Sequence, residues 1–270
     1  AGFLVGIAGD KGAVDASSEY SEYSDASGPC IMVPGAPRGD IVITRANMRS
    51  SLDAVLRIAP TDASRMIPFS RWDVDSHADL FSGIPVRFAP TLQGIDLFDP
   101  GCLGISDGEA ALMDPQHRIL LELSAEMIFV EMSSVGGFSN DTGVFVGLSS
   151  TDYAKVMAKH IKGITAYTAT GNTLSVASGR ISFGFDLRGP TLTVDTACSS
   201  SLVSLHSAKN ALLLGKCESA INAGANLMLS VDTPAAFAKS GMLAQDGRCT
   251  TLDAVADGYV RAEAAGAVFL

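Results

Sequence analysis

The side chains in this sequence with chemistry to offer are five cysteines, four histidines and one serine in a hydrolase-like setting. The cysteines are Cys30, Cys102, Cys198, Cys217 and Cys249. They are odd in number and scattered, without a CxxC pair, which argues against a disulfide framework and against zinc. A reducing, intracellular compartment is the simplest setting for them. By spacing alone, each is best read as a small buried hydrophobe. Cys198 is set apart by its neighbours, VDTACSSSL, where a strand ends, the chain turns sharply and a helix begins. There the helix dipole and free backbone N–H groups favour an anionic sulfur. The same backbone N–H can donate to an oxyanion forming on a thioester carbonyl. Ala197, Ser199 and Ser200 are small enough to let a substrate approach.

The serine candidate is Ser106, in Gly104-Ile105-Ser106-Asp107-Gly108, which fits the GxSxG nucleophile pattern. That pattern needs a strand directly before the serine. FDPGCL is a poor strand, and Ser106 three residues before Glu109 reads instead as a helix cap. The histidines are His77, His117, His160 and His206. His77 and His160 belong to no motif and are expected on a solvent-facing loop or helix.

The elements that must position these residues are clearest after about residue 96. Asp114-Pro115 marks a helix start, followed by Leu120, Leu123 and Met127 at helical spacing. Thr142–Leu148 (TGVFVGL) predicts a buried strand. Thr191–Ala197 alternates Leu192 and Val194 with polar residues, a strand pattern, and leads into the Cys198 helix. That helix carries Leu202, Leu205, Ala208 and Leu212 and ends near Gly215; so apolar a segment is expected to be buried on most sides. Ser219–Leu229 and Ala264–Leu270 read as further buried strands, so strands alternate with helices in a layered α/β fold. Residues 9–40 read as loop, and a short helix fits Arg49–Arg57.

Composition narrows the function. Hydrophobic residues make up 47% and charged residues 18% of 270, enough for a sizeable core. The net charge of −10 disfavours a nucleic-acid binder. No apolar run approaches the roughly 20 residues of a membrane span, and AGFLVGIAGD lacks the basic start of a signal peptide.

GPTLTVDTACSSSLVSLHSA closely resembles the nucleophile segment of type I polyketide synthase ketosynthases. FDPGCLGISDGEAALMDPQHRILLE, DTGVFVGLSSTDYA, YTATGNTLSVASGRISFGFDLRGP, INAGANLMLS and SGMLAQDGRCTTLDAVADGYVRAEAAG resemble the same family in the family's order. The likeness is near-continuous over 81–270. Residues 1–80 form a poorly matched segment, in which VGIAG or CIMVPGAP stands where the family has a first strand. The resemblance implies a thiolase-like α/β fold, with this chain as the first (N-terminal) half, layered α-β-α and cut before the catalytic histidine motifs. It implies Cys198 as the acyl-accepting nucleophile, no metal and no bound cofactor. Substrates would arrive on the phosphopantetheine arm of an acyl carrier protein. The expected partners are that carrier, the missing C-terminal half of the domain and a second copy in a homodimer, with no nucleic acid and no membrane span.

Departures from the family are specific. Its HGTGT and GHxxxA-type histidine motifs do not occur here, and His117 and His206 fall where the family uses histidine structurally. The family's VRGEG reads Val260-Arg261-Ala262-Glu263-Ala264, and FFGIS reads Cys102-Leu103-Gly104-Ile105-Ser106. The alternative to a condensing enzyme is therefore a non-catalytic structural or dimerisation half.

Overall fold

The computed structural model describes residues 64–81, 86–135, 138–160 and 165–270, and the backbone of 41–43. The expected loop over 9–40, the helix Arg49–Arg57 and the first-strand remnants lie outside the described residues. The elements are β1 (Ile41–Ile43), β2 (Arg65–Met66), β3 (Phe88–Ala89), α1 (Asp107–Leu112), α2 (Pro115–Val135), β4 (Thr142–Gly147), α3 (Asp152–His160), α4 (Ala166–Asn172), α5 (Val176–Gly184), β5 (Thr191–Val194), α6 (Ser200–Leu213), β6 (Ser219–Asn226), α7 (Asp232–Lys239) and β7 (Ala264–Phe269). Short 3₁₀ turns occupy Asp75–Phe81, Gly101–Leu103 and Ala197–Ser199.

Five strands form one sheet in the order β1-β7-β6-β4-β5. β4 runs parallel to β5 and β6, β7 is antiparallel to β6, and β1 lies parallel to β7. The strand that edges this sheet at Ile41–Ile43 falls between the two segments weighed from sequence and the first clear helix. β4 is buried along its whole length, as its β-branched and aromatic run predicts. Alternation along β4 sorts the core into two layers. Val144 and Val146 face Leu120, Leu123 and Met127 of α2 and Ile181 of α5. Phe145 faces the other way, onto Ala208 and Ala211 of α6, with Ala220 of β6 beside it. The sheet is thus sandwiched between α2 and α5 on one face and α6 on the other, the layered α-β-α arrangement expected.

Both predicted helix starts form. Ser106 Oγ accepts the Glu109 N–H (3.2 Å) at the head of α1, and Asp114 Oδ1 accepts the Gln116 N–H (2.8 Å) at the head of α2. The segment before Ser106 is a 3₁₀ turn with Gly104 left-handed, not a strand, so the hydrolase geometry is missing. No helix among the described residues is long and apolar enough to cross a membrane.

Three sequence expectations change. α6 is not buried on most sides: Leu202, Leu213 and Leu214 are about 70% exposed, whereas Ser200, Ser204, Ala208 and Ala211 are buried. The helix packs through its small residues, which let its backbone approach the sheet. The Thr191–Ala197 strand is shorter and lies at the sheet edge, with Leu192 exposed. Finally, the free cysteines among the described residues are Cys198, Cys217 and Cys249, while Cys102 is disulfide-bonded.

Candidate active site

The carboxyl ends of the parallel strands β4, β5 and β6 lie at one end of the sheet, where open α/β sheets place their ligands. Cys198 is at that end. β5 stops at Val194, and Ala197–Ser199 makes one 3₁₀ turn before α6 begins at Ser200. Cys198 therefore sits in the turn just ahead of the helix, and its side chain is exposed.

The turn is tight for a reason visible in its backbone. Ala197 has φ +56°, the left-handed region that residues with a Cβ enter only at a cost of roughly 1–2 kcal/mol. Several polar groups hold it there. The Ala197 N–H donates to Asp195 Oδ1 (3.0 Å). The Thr196 N–H donates to Ser200 Oγ (2.9 Å), and the Ser200 hydroxyl donates to the Ala197 carbonyl (2.7 Å). Ser199 Oγ donates to the Thr196 carbonyl (2.9 Å). The neighbouring N–H groups of Thr196, Ala197 and Ser199 all find acceptors within the turn. Among the described residues the Cys198 N–H has none.

Two glycines let this turn settle onto the sheet. A Cβ on Gly147, the last residue of β4, would stand 2.6 Å from the Ser200 carbonyl carbon and the Ser201 Cα. A Cβ on Gly224 of β6 would run into Ser201 Oγ. One turn further on, Ser204 Oγ donates to Asn222 Oδ1 of β6 (2.7 Å), both groups being buried, so α6 cannot rotate freely on the sheet. Sequence reasoning singled out Cys198 but took Ser200 only as a small neighbour, where it is buried and bonded into the turn, and missed Asp195, Gly147 and Gly224. The glycines carried a signal, since glycine inside a strand marks a close backbone approach.

The other candidates are elsewhere. Burial pushes the Cys217 thiol up, away from the reactive form. Cys249 is exposed, and its sulfur accepts the Val260 N–H (3.3 Å). His117 is buried in the first turn of α2, across the sheet from α6. Neither ring nitrogen has a hydrogen-bond partner among the described residues, and burial, with Arg180 nearby, lowers the imidazole pKa to about 4. His206 is exposed on α6 beside Asn210 (Nε2 to Nδ2, 2.9 Å). His77 is half-buried rather than solvent-facing, with Nδ1 2.8 Å from the Asp73 carbonyl, and His160 is exposed at the end of α3. None of the four is hydrogen-bonded to the Cys198 turn. A cavity of about 890 Å³ lined by Arg65, Trp72, Arg118 and Tyr153 does not include Cys198. Neither Ala262 nor Ala264 has a positive φ, so alanine carries no backbone strain where the family has glycine.

Comparison with known proteins identifies the family. The family model "Beta-ketoacyl synthase, N-terminal domain" matches residues 46–270. Curated relatives include the lovastatin nonaketide synthase, polyketide synthase component, of Aspergillus terreus, 42% identical over 233 residues. Probable polyketide synthase 1 of Dictyostelium discoideum is 40% identical over 214 residues. These alignments cover 83% and 77% of this chain but only 8% and 7% of those proteins. Among solved structures, the ketosynthase from module 6 of the Bacillus subtilis 168 bacillaene synthase superposes with a TM-score of 0.66 at 33% identity, covering 82% of this chain and 36% of that one. An oxazolomycin ketosynthase domain from Streptomyces albus JA3453 gives 0.67 at 31% identity, covering 77% and 37%. The chain thus spans little more than a third of these ketosynthases. With a layered fold of that type and a cysteine presented at the carboxyl end of its sheet, the chain belongs to the beta-ketoacyl synthases, as N-terminal ketosynthase sequence of the polyketide synthase kind.

Proposed function

We propose that the protein carrying this chain condenses acyl units, with Cys198 as the nucleophile. The supporting observation is the Cys198 turn itself: an exposed thiol, a backbone N–H without an acceptor among the described residues, and a seat on Gly147 and Gly224 that fixes both. In the first half-reaction the sulfur attacks the carbonyl of an acyl thioester on the phosphopantetheine arm of an acyl carrier protein. A Sγ–C bond forms as the carrier's C–S bond breaks, and the carrier thiolate takes up the proton that Cys198 gave up. The Cys198 N–H donates to the oxygen that becomes anionic in between. In the second half-reaction a malonyl-type thioester loses its carboxylate as CO₂. The resulting carbanion attacks the acyl-cysteine, and the Cys198 thiolate leaves. None of the four histidines present is hydrogen-bonded to the Cys198 turn, so the histidine assistance that the family resemblance implies is assigned to none of them.

A non-catalytic structural or dimerisation half is the second reading. The exposed Phe183, Leu202, Leu213 and Leu214 favour it, since such side chains are suited to meeting another protein surface. The readings differ in one measurement. Incubation of the intact gene product with short acyl thioesters is expected to add the acyl mass to the peptide containing Cys198, and Cys198→Ala is expected to abolish the addition. Persistent acylation of the alanine variant, or none in the wild type, would overturn the catalytic reading.

A further inference from the structure

We infer that Ser200 and Asp195 are positioning residues for acyl transfer, acting through Ala197 on the direction of the Cys198 N–H. The inference rests on the reading of Cys198 as an acyl-accepting nucleophile and deepens it. The peptide between Ala197 and Cys198 supplies the N–H that has no acceptor among the described residues, and its direction is set by the Ala197 dihedrals. Alanine does not choose φ +56° unaided. A non-glycine residue keeps such a conformation only where the surroundings over-determine it. Here Asp195 grips the Ala197 N–H (3.0 Å). The buried Ser200 hydroxyl ties the Ala197 carbonyl (2.7 Å) to the Thr196 N–H (2.9 Å), so it braces the turn on both sides of the strained residue. Without these groups Ala197 relaxes toward negative φ. The Cys198 N–H then swings away from the position of the developing oxyanion, while the thiol stays exposed.

The consequence is selective. Alkylation of Cys198 by iodoacetamide needs the sulfur but no oxyanion donor, whereas acylation by a thioester needs both. The ratio of the two rates therefore reports the N–H and not merely the accessibility of the thiol. Removing an oxyanion donor outright costs about a hundredfold or more in rate, so misaiming one is expected to cost about tenfold. Ser207→Ala is the control, because it deletes an equivalent hydroxyl bond on α6 (Ser207 Oγ to the Val203 carbonyl, 3.0 Å) away from the turn.

The test uses the intact gene product, with both rates followed by mass spectrometry and folding by thermal melts. Wild type acylated at Cys198 and Cys198→Ala not acylated establishes the underlying reading separately. Ser200→Ala is then expected to lower the acylation-to-alkylation ratio about tenfold, with Ser207→Ala leaving it unchanged. Should Ser200→Ala fail to fold, Asp195→Ala at its exposed site is expected to lower the same ratio. An unchanged ratio in the folded variant, or an equal fall in the control, overturns the inference while leaving the nucleophile assignment standing.

Discussion

Asp114 and His117, three residues apart at the start of α2, titrate in opposition. Burial raises Asp114 from 3.8 to about 6, against the hydrogen bonds from Gln116. Burial, and then Arg180, lowers His117 from 6.5 to about 4. The folded state holds the Asp114 proton more tightly, so that stability is fully present below pH 3.8 and is lost as pH rises through about 6. It holds the His117 proton less tightly, so stability is present above pH 6.5 and is lost as pH falls toward 4. Each displacement corresponds to about 3 kcal/mol, and the two nearly cancel between pH 4 and 6. Urea melts across that range are expected to show His117→Leu growing more stable on acidification and Asp114→Asn growing less stable. Parallel slopes in the two variants would refute the opposition. At this scale the sequence was partly legible. The strand, turn and helix around Cys198 could be read from residue patterns, whereas its reading as a nucleophile came from the family resemblance. Ser200 and Asp195 could not, because their role depends on a left-handed alanine, and nothing in the letters TAC announces a positive φ. For His117 the sequence pointed to a structural role but gave no sign of its isolation, which arises from side chains far away in the chain.

Glycines at the element scale divide into those that are packed against and those that are not. Gly147 ends β4 directly beneath the first turn of α6, and the atoms its Cβ would meet are backbone, which cannot step aside cheaply. Gly147→Ala is expected to cost about 1–3 kcal/mol in chemical denaturation and to slow acylation of Cys198 by lifting the turn. Gly179 sits inside α5 with nothing within 4 Å of its virtual Cβ. Gly179→Ala is expected to stabilise the protein by about 0.5–1 kcal/mol through helix propensity, with acylation unchanged. A destabilised Gly179→Ala would show that the open space is not there. The same contrast explains the misreading of α6. Its leucines looked like the inward face, because large apolar residues usually are. The inward stripe is instead Ser200, Ser204, Ala208 and Ala211, since the strands beneath it present Gly147 and Gly224 and leave no room for a larger side chain. Strand β4 is buried throughout, β6 over most of its length and β7 at alternate residues, and their small and apolar residues made them legible, whereas β5 at the edge is only half-written in its composition.

At the scale of the whole molecule, the segment before α1 is held to the sheet by one buried ion pair. Arg71 meets Glu263, just ahead of β7, through Nε and Nη2 (both 2.7 Å), with the two side chains almost fully buried. Glu263 also accepts the N–H groups of Leu92 (2.8 Å) and Met228 (3.0 Å), and Arg71 donates to the Leu92 carbonyl (2.8 Å). Around the pair lies a small second core in which Ile67, Trp72, Phe81 and Val86 pack against Met228, Val231 and Leu243. The letters VRAEA showed an acidic residue near a strand, but not that its partner stood 192 positions earlier. Arg71→Met leaves a carboxylate buried without its counter-charge and is expected to cost about 3–5 kcal/mol. Replacing both partners of a buried pair by apolar residues often restores stability. Here it should not. Glu263 satisfies two backbone N–H groups besides the arginine, and each would be left unpaired at about 1–3 kcal/mol. The double variant Arg71→Met with Glu263→Leu is therefore expected to be no more stable than Arg71→Met alone in urea denaturation. Recovery to wild-type stability would mean that the carboxylate serves only the arginine and not the backbone it touches.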